Sequence, residues 1–141
     1  MIELEKQGKK HLVVSVNKNL GNKMSYSDFC ADENYVKSSD IIISKIDSLA
    51  DNGYEVVRRQ KCYSVAQGHT NLLYIKEGSK VIRIPFTIEE ICDHSVIILT
   101  HVFVKDKKNK ENLEFKSADK IITNTLKWIS ENEKKFQKLI K

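Results

Sequence analysis

The stretch 71–105, NLLYIKEGSKVIRIPFTIEEICDHSVIILTHVFVK, carries Tyr74, Lys76, Arg83, His101 and Lys105. Lysine and arginine bind anions, and histidine titrates near neutrality. These types suit binding an anion and moving a proton. Whether they act together depends on the elements that carry them.

The apolar runs Leu72–Ile75, Val81–Phe86 and Val96–Val104 are rich in β-branched and aromatic residues, and Gly78-Ser79 separates the first two. They read as a β-hairpin followed by a third strand. A two-residue turn at Gly78-Ser79 predicts Glu77 opposite Lys80, Leu73 opposite Ile84, Ile75 opposite Ile82, Tyr74 opposite Arg83 and Lys76 opposite Val81. One face is then aliphatic, and the other bears Tyr74, Lys76 and Arg83. A three-residue turn would mix the two sets, because a one-residue slip exchanges faces. The third strand is apolar at both parities, as in a central strand covered on both sides. Its alternation places Ile97, Leu99, His101, Phe103 and Lys105 together.

The chain has 141 residues, 40% hydrophobic and 30% charged, which fits one globular domain with its own core. No run approaches the ~20 apolar residues of a membrane span. The start, MIELEKQGKK, lacks the apolar core of a secretory signal, so a cytoplasmic location is expected. Cys30, Cys62 and Cys92 are odd in number and show no metal-ligand spacing, which predicts reduced thiols and no structural zinc. Residues 105–141 hold 11 lysines against 6 acids, whereas residues 1–104 balance at 13 and 13. This basic tail reads either as a nucleic-acid or acidic-partner surface or as a solvated helix face.

Residues 1–10 read as a frayed start and His11–Val16 as a strand. Ser25 caps a short helix running to about Val36. A second helix, capped at Ser38 or Ser39, places Ile42, Ile43, Ile46, Leu49 and Ala50 on one face and stops at Gly53. Tyr54–Arg59 reads as extended, Ser64–Thr70 as a loop with an exposed His69, and Lys105–Glu114 as a charged loop. The last helix runs from about Phe115, with Ala118, Ile122, Leu126 and Ile129 as its stripe. The order β-α-α-β-β-β-α predicts an α+β fold: a mainly antiparallel sheet, two N-terminal helices and one C-terminal helix.

Over about residues 40–130 the chain resembles the RelE/HigB-like toxins of bacterial type II toxin–antitoxin systems, nearest the phage-derived HigB-like branch. LLYIK is similar to that family's "LYELR", VIRIPF to "YRIFY", and IILTHVFVKDKKNK to "VLLHGFVKKTQK". FKSADKIITNTLKWI stands where the family closes with a basic, alanine-containing helix. The chain departs from the pattern in four ways. Lys76 stands where arginine is usual, Val102 replaces a glycine, Asp106 replaces a lysine, and the Thr-Pro after the basic run is absent.

The resemblance implies a metal-independent, ribosome-associated mRNA endonuclease without cofactor. In that reaction the 2′-hydroxyl attacks the neighbouring phosphate and the 5′-oxygen leaves. Arg83 and Lys76 would hold the phosphate, and His101 or Lys105 would carry the proton. Lys61, Tyr74, Lys107, Lys108 and Lys110 would hold RNA, with Tyr74 stacking on a base. The implied partners are mRNA on the ribosome and a helix-turn-helix antitoxin; no membrane is expected. A ParE-like gyrase inhibitor, and a phage remnant that only binds an antitoxin, are the other functions this resemblance allows.

Overall fold

The computed structural model of the protein describes residues 1–78, 81–105 and 110–141, with Lys110 described in its backbone alone. Strand β1 (Ile2–Gln7) pairs antiparallel with β2 (Leu12–Val16). Helix α1 (Tyr26–Ala31), a 3-10 turn (Glu33–Tyr35), α2 (Val36–Asn52) and the short α3 (Tyr54–Val57) follow. Next come β3 (Tyr63–Val65), β4 (Leu73–Glu77), β5 (Ile82–Ile91), β6 (His94–Leu99) and β7 (Phe103–Val104). Helices α4 (Lys110–Glu131) and α5 (Glu133–Leu139) close the chain.

The sheet order is β1-β2-β6-β5-β4-β3, and β7 also pairs with β5. All ladders are antiparallel except β2 with β6. The class is α+β with a mainly antiparallel sheet, as expected. The helices differ from expectation, because three precede β3 and two end the chain.

Helices cover both faces. On one side Phe29 of α1 and Ile42, Ile46, Leu49 and Ala50 of α2 pack on Ile75, Ile84, Phe86, Ile97 and Leu99. On the other, Ile121 and Ile129 of α4 and Phe136 of α5 meet Val14, Val16, Val96 and Ile98. β6 is therefore buried on both faces, as its unbroken apolar run predicts. The face of α2 is narrower than the sequence suggests, since Ile43 is 38% exposed.

Ser25 does cap α1, its Oγ accepting from the Asp28 amide at 3.0 Å. Tyr35 stands at the N-cap of α2 instead of Ser38 or Ser39. Both serines are buried within the helix, where Ser38 donates to Glu77 at 3.0 Å.

Residues 1–10 are ordered structure. Ile2 and Leu4 alternate with Glu3 and Glu5, which is strand periodicity hidden by charge. The turn after β1 rests on α2: the amides of Lys10 and His11 both donate to the Ala50 carbonyl, at 2.9 and 3.0 Å. A Cβ at Gly8 would stand 2.5 Å from that same backbone, so only glycine fits. Tyr54–Arg59 is helical at its start because Gly53, at φ 89°, ends α2 and starts α3 at once.

The hairpin register is Leu73↔Phe86, Tyr74↔Pro85, Ile75↔Ile84, Lys76↔Arg83 and Glu77↔Ile82. This slips two residues from the expected pairing, and the strand partner of Glu77 is Ile82. A slip of two preserves every face, so side-chain alternation cannot detect it. Ser79 and Lys80 lie outside the described residues. Val81 enters β5 at φ 55°, a conformation costly for a β-branched residue.

The third strand is interrupted. β6 pairs Leu99 with Phe86, and β7 pairs Phe103 with Arg83, so one extra residue is accommodated between them. The cause is Pro85, which has no N–H to offer the ladder. Its carbonyl instead takes both the amide and the hydroxyl of Thr100, each at 2.9 Å, while the Val102 amide turns to Met24. The bulge reverses parity. Ile97, Leu99 and Val102 face α2, and Phe103 faces α4, correcting the expected single row. The polar segment Glu89–Ser95 is also strand for most of its length, turning at Cys92 and Asp93, which both have positive φ.

Candidate functional site

Tyr74, Lys76 and Arg83 share a sheet face, and Lys76 and Arg83 are direct cross-strand partners. Phe103 continues the row on the far side of Arg83. The bulge at Thr100 brings His101 onto this side, its ring stacked 5.7 Å from Phe103. Tyr74 packs on Phe115 of α4 at 5.1 Å, and the Arg83 guanidinium lies 5.6 Å from the Tyr74 ring centre. Three of the expected catalytic residues, Lys76, Arg83 and His101, thus lie on one side of the sheet.

The first turns of α4 cover them. Arg83 is 8% exposed, and its Nε donates to Glu111 at 3.3 Å. His101 is fully buried, and its Nε2 meets Glu114 at 3.1 Å. Glu114 also accepts from the Lys23 ammonium. Burial pushes the Glu114 carboxyl up, but the hydrogen bonds from Lys23 and His101 outweigh it and hold it below the ordinary range. Burial pulls the His101 pKa down, further than Glu114 raises it. In the neutral ring that burial favours, a proton on Nε2 faces the carboxylate. That leaves a lone pair on Nδ1, which has no hydrogen-bond partner among the described residues.

Glu111 and Glu114 escape a reading of the sequence because Lys105–Glu114 looks like a loop. The helix in fact starts at Lys110, which puts these two acids three residues apart on one face. Acids in a first turn also suit the helix dipole.

The remaining expected residues lie elsewhere. Lys105 is exposed at the end of β7, its amide donating to the Val81 carbonyl. Lys107 and Lys108 fall outside the described residues, as does the Lys110 side chain. Lys61 lines an open cleft of ≈ 710 Å³ beside β4, together with Lys76. His69 is not exposed as expected: its side chain is 8% accessible. Its two ring nitrogens face Asn112 and Asp119, which raise its pKa.

The three cysteines are free thiols. No helix among the described residues is long and apolar enough to cross a membrane. Compared with family models, curated proteins and solved structures, the chain matches none.

Proposed function

We propose that the protein is the toxin of a toxin–antitoxin pair, a RelE-like, metal-independent endoribonuclease that cuts mRNA on the ribosome. The observation that carries this reading is the cross-strand pair Lys76–Arg83 with His101 on the same face. Two cations and a neutral histidine on one rigid sheet suit a reaction whose nucleophile belongs to the substrate. Arg83 and Lys76 neutralise the charge developing on the phosphate. Once the first turns of α4 move off it, His101 takes the proton of the 2′-hydroxyl through Nδ1 and returns it to the leaving 5′-oxygen, while Glu114 holds the opposite edge of the ring. Glu111 accepts from Arg83 Nε, so a phosphate binding there must replace it.

The test is induced expression without a partner, followed by sequencing the 5′ ends of cellular messages. Growth arrest with new ends confined to translated regions is expected, and a folded Arg83→Ala should lose both. Arrest without new ends points to a gyrase-type target and overturns the nuclease reading. A second reading, a remnant that binds an antitoxin without cutting, is favoured by the complete burial of His101. It predicts normal growth from well-folded protein.

A further inference from the structure

The cleft beside β4 draws its cations from three separate segments: Lys45 of α2, Arg59 and Lys61 ahead of β3, and Lys76 of β4. It opens because β3 is shorter than β4. Tyr63 pairs with Ile75, the Lys76 amide reaches back to the Cys62 carbonyl at 2.7 Å, and β4 then runs on past the start of β3. Lys6, Lys23, Arg58 and Arg83 each have a carboxylate partner. Lys45, Arg59, Lys61 and Lys76 have none among the described residues. The acid on the lining, Glu77, is 6% exposed and takes the Ser38 hydroxyl. Among the described residues the cleft lining thus carries four cations against one buried carboxylate, a net positive charge.

We infer that this cleft is a binding groove for the backbone of single-stranded RNA, with Lys45 and Arg59 as phosphate contacts. It rests on the ribonuclease reading for the identity of the polymer. Phosphates suit ammonium and guanidinium groups spread along a groove. Ile41, 44% exposed on the cleft wall, offers an apolar surface to an unpaired base, which inorganic phosphate would not use. Lys76 belongs both to the groove and to the row containing Arg83. A strand lying in the groove therefore passes over the sheet edge toward the proposed cutting site. The groove sets which part of a message is held while another part is cut.

The test uses a fluorescein-labelled 2′-O-methyl oligouridylate of about twelve nucleotides, long enough for the ~4–16 nucleotides of a typical single-strand site. It binds but cannot be cut by 2′-hydroxyl attack. Its affinity is read by anisotropy over a range of salt. Lys45→Ala with Arg59→Ala is expected to weaken binding at least tenfold and to flatten the salt slope by about 1.4, at ~0.7 for each phosphate no longer neutralised. Lys134→Ala with Lys135→Ala, on exposed α5 positions, removes the same charge and should leave binding within about twofold. Equal losses from both pairs, or none from the cleft pair, overturn the groove. Saturable binding of a poly-glutamate peptide without RNA binding also overturns it, in favour of an acidic protein partner. The two readings fail separately. A groove that binds the oligomer in a protein that cuts no message leaves the groove standing and removes the nuclease. Message cutting with an indifferent cleft does the reverse.

Discussion

Thr100 reaches back to Pro85 twice, through its amide and through its hydroxyl, both at 2.9 Å from one carbonyl. That double contact fixes the bulge, and the bulge decides which side of the sheet His101 joins. Thr100→Val keeps the shape and removes the buried hydroxyl donor. It should cost about 1–2 kcal/mol, seen as a lower urea midpoint with unchanged slope. On the proposed ribonuclease reading it should also cut toxicity more than that loss explains, since the register past Leu99 loosens. A variant as stable and as toxic as the parent would show that Pro85 alone holds the bulge.

Arg83→Ala removes the guanidinium from Lys76 and Glu111 together. Loss of a charge-stabilising donor of this kind costs a reaction ~3–4 kcal/mol, or a few hundredfold in rate. Glu111→Gln goes the other way. It frees Arg83 for a phosphate, so message cutting at equal protein level should rise several-fold. If Glu111→Gln cuts no faster, Glu111 does not compete with the substrate.

These relations separate what the sequence exposes from what it conceals. Binary patterning locates β4, β5, β6 and α2, and it puts Tyr74, Lys76 and Arg83 on one face, because burial imposes period 2 or 3.6 on the apolar residues. It does not locate the bulge. The signal for it is Pro85, the one proline in the chain, inside an otherwise apolar strand. The two-residue slip of the hairpin leaves no trace in alternation. The start of α4 is hidden because KDKKNKENLE carries no apolar stripe, although Glu111 and Glu114 have helical spacing. The cleft cations come from segments far apart in sequence, and only the fold brings Lys45 to Arg59.

Val81 stands at φ 55° and is 36% exposed. A left-handed β-branched residue stores about 1–2 kcal/mol of strain, which asparagine largely relieves. Val81→Asn should therefore raise stability by roughly 1 kcal/mol in a urea titration. It leaves the carbonyl that receives the Lys105 amide. A destabilised Val81→Asn would mean that the exposed part of Val81 packs on something that outweighs the strain.

His69 predicts a pH dependence of stability. Its hydrogen bonds to Asn112 and Asp119 raise its pKa above the ordinary value, so the folded state favours the charged ring. That contribution is complete below the unfolded pKa of ~6.5 and is lost as pH rises through the folded value. The stability gap between the parent and His69→Gln should therefore be wider at pH 5.5 than at pH 8.5. A gap independent of pH would mean that the ring acts only as a neutral hydrogen-bonding spacer.

The parallel pairing of β2 with β6 has a consequence for biosynthesis. Leu12 emerges from the ribosome early, but its partner Val96 belongs to the last third of the chain. Until then Val14 and Val16, both buried in the finished protein, lack the α4–α5 cover, and β2 lacks its sheet neighbour. The β1–β2 ribbon must wait as an unsatisfied edge, and closing so distant a pair is slow. Nascent chains stalled before β6 should be the aggregation-prone species. β1 and β2 thus join the sheet only once β6 has been made, although both precede it in the chain.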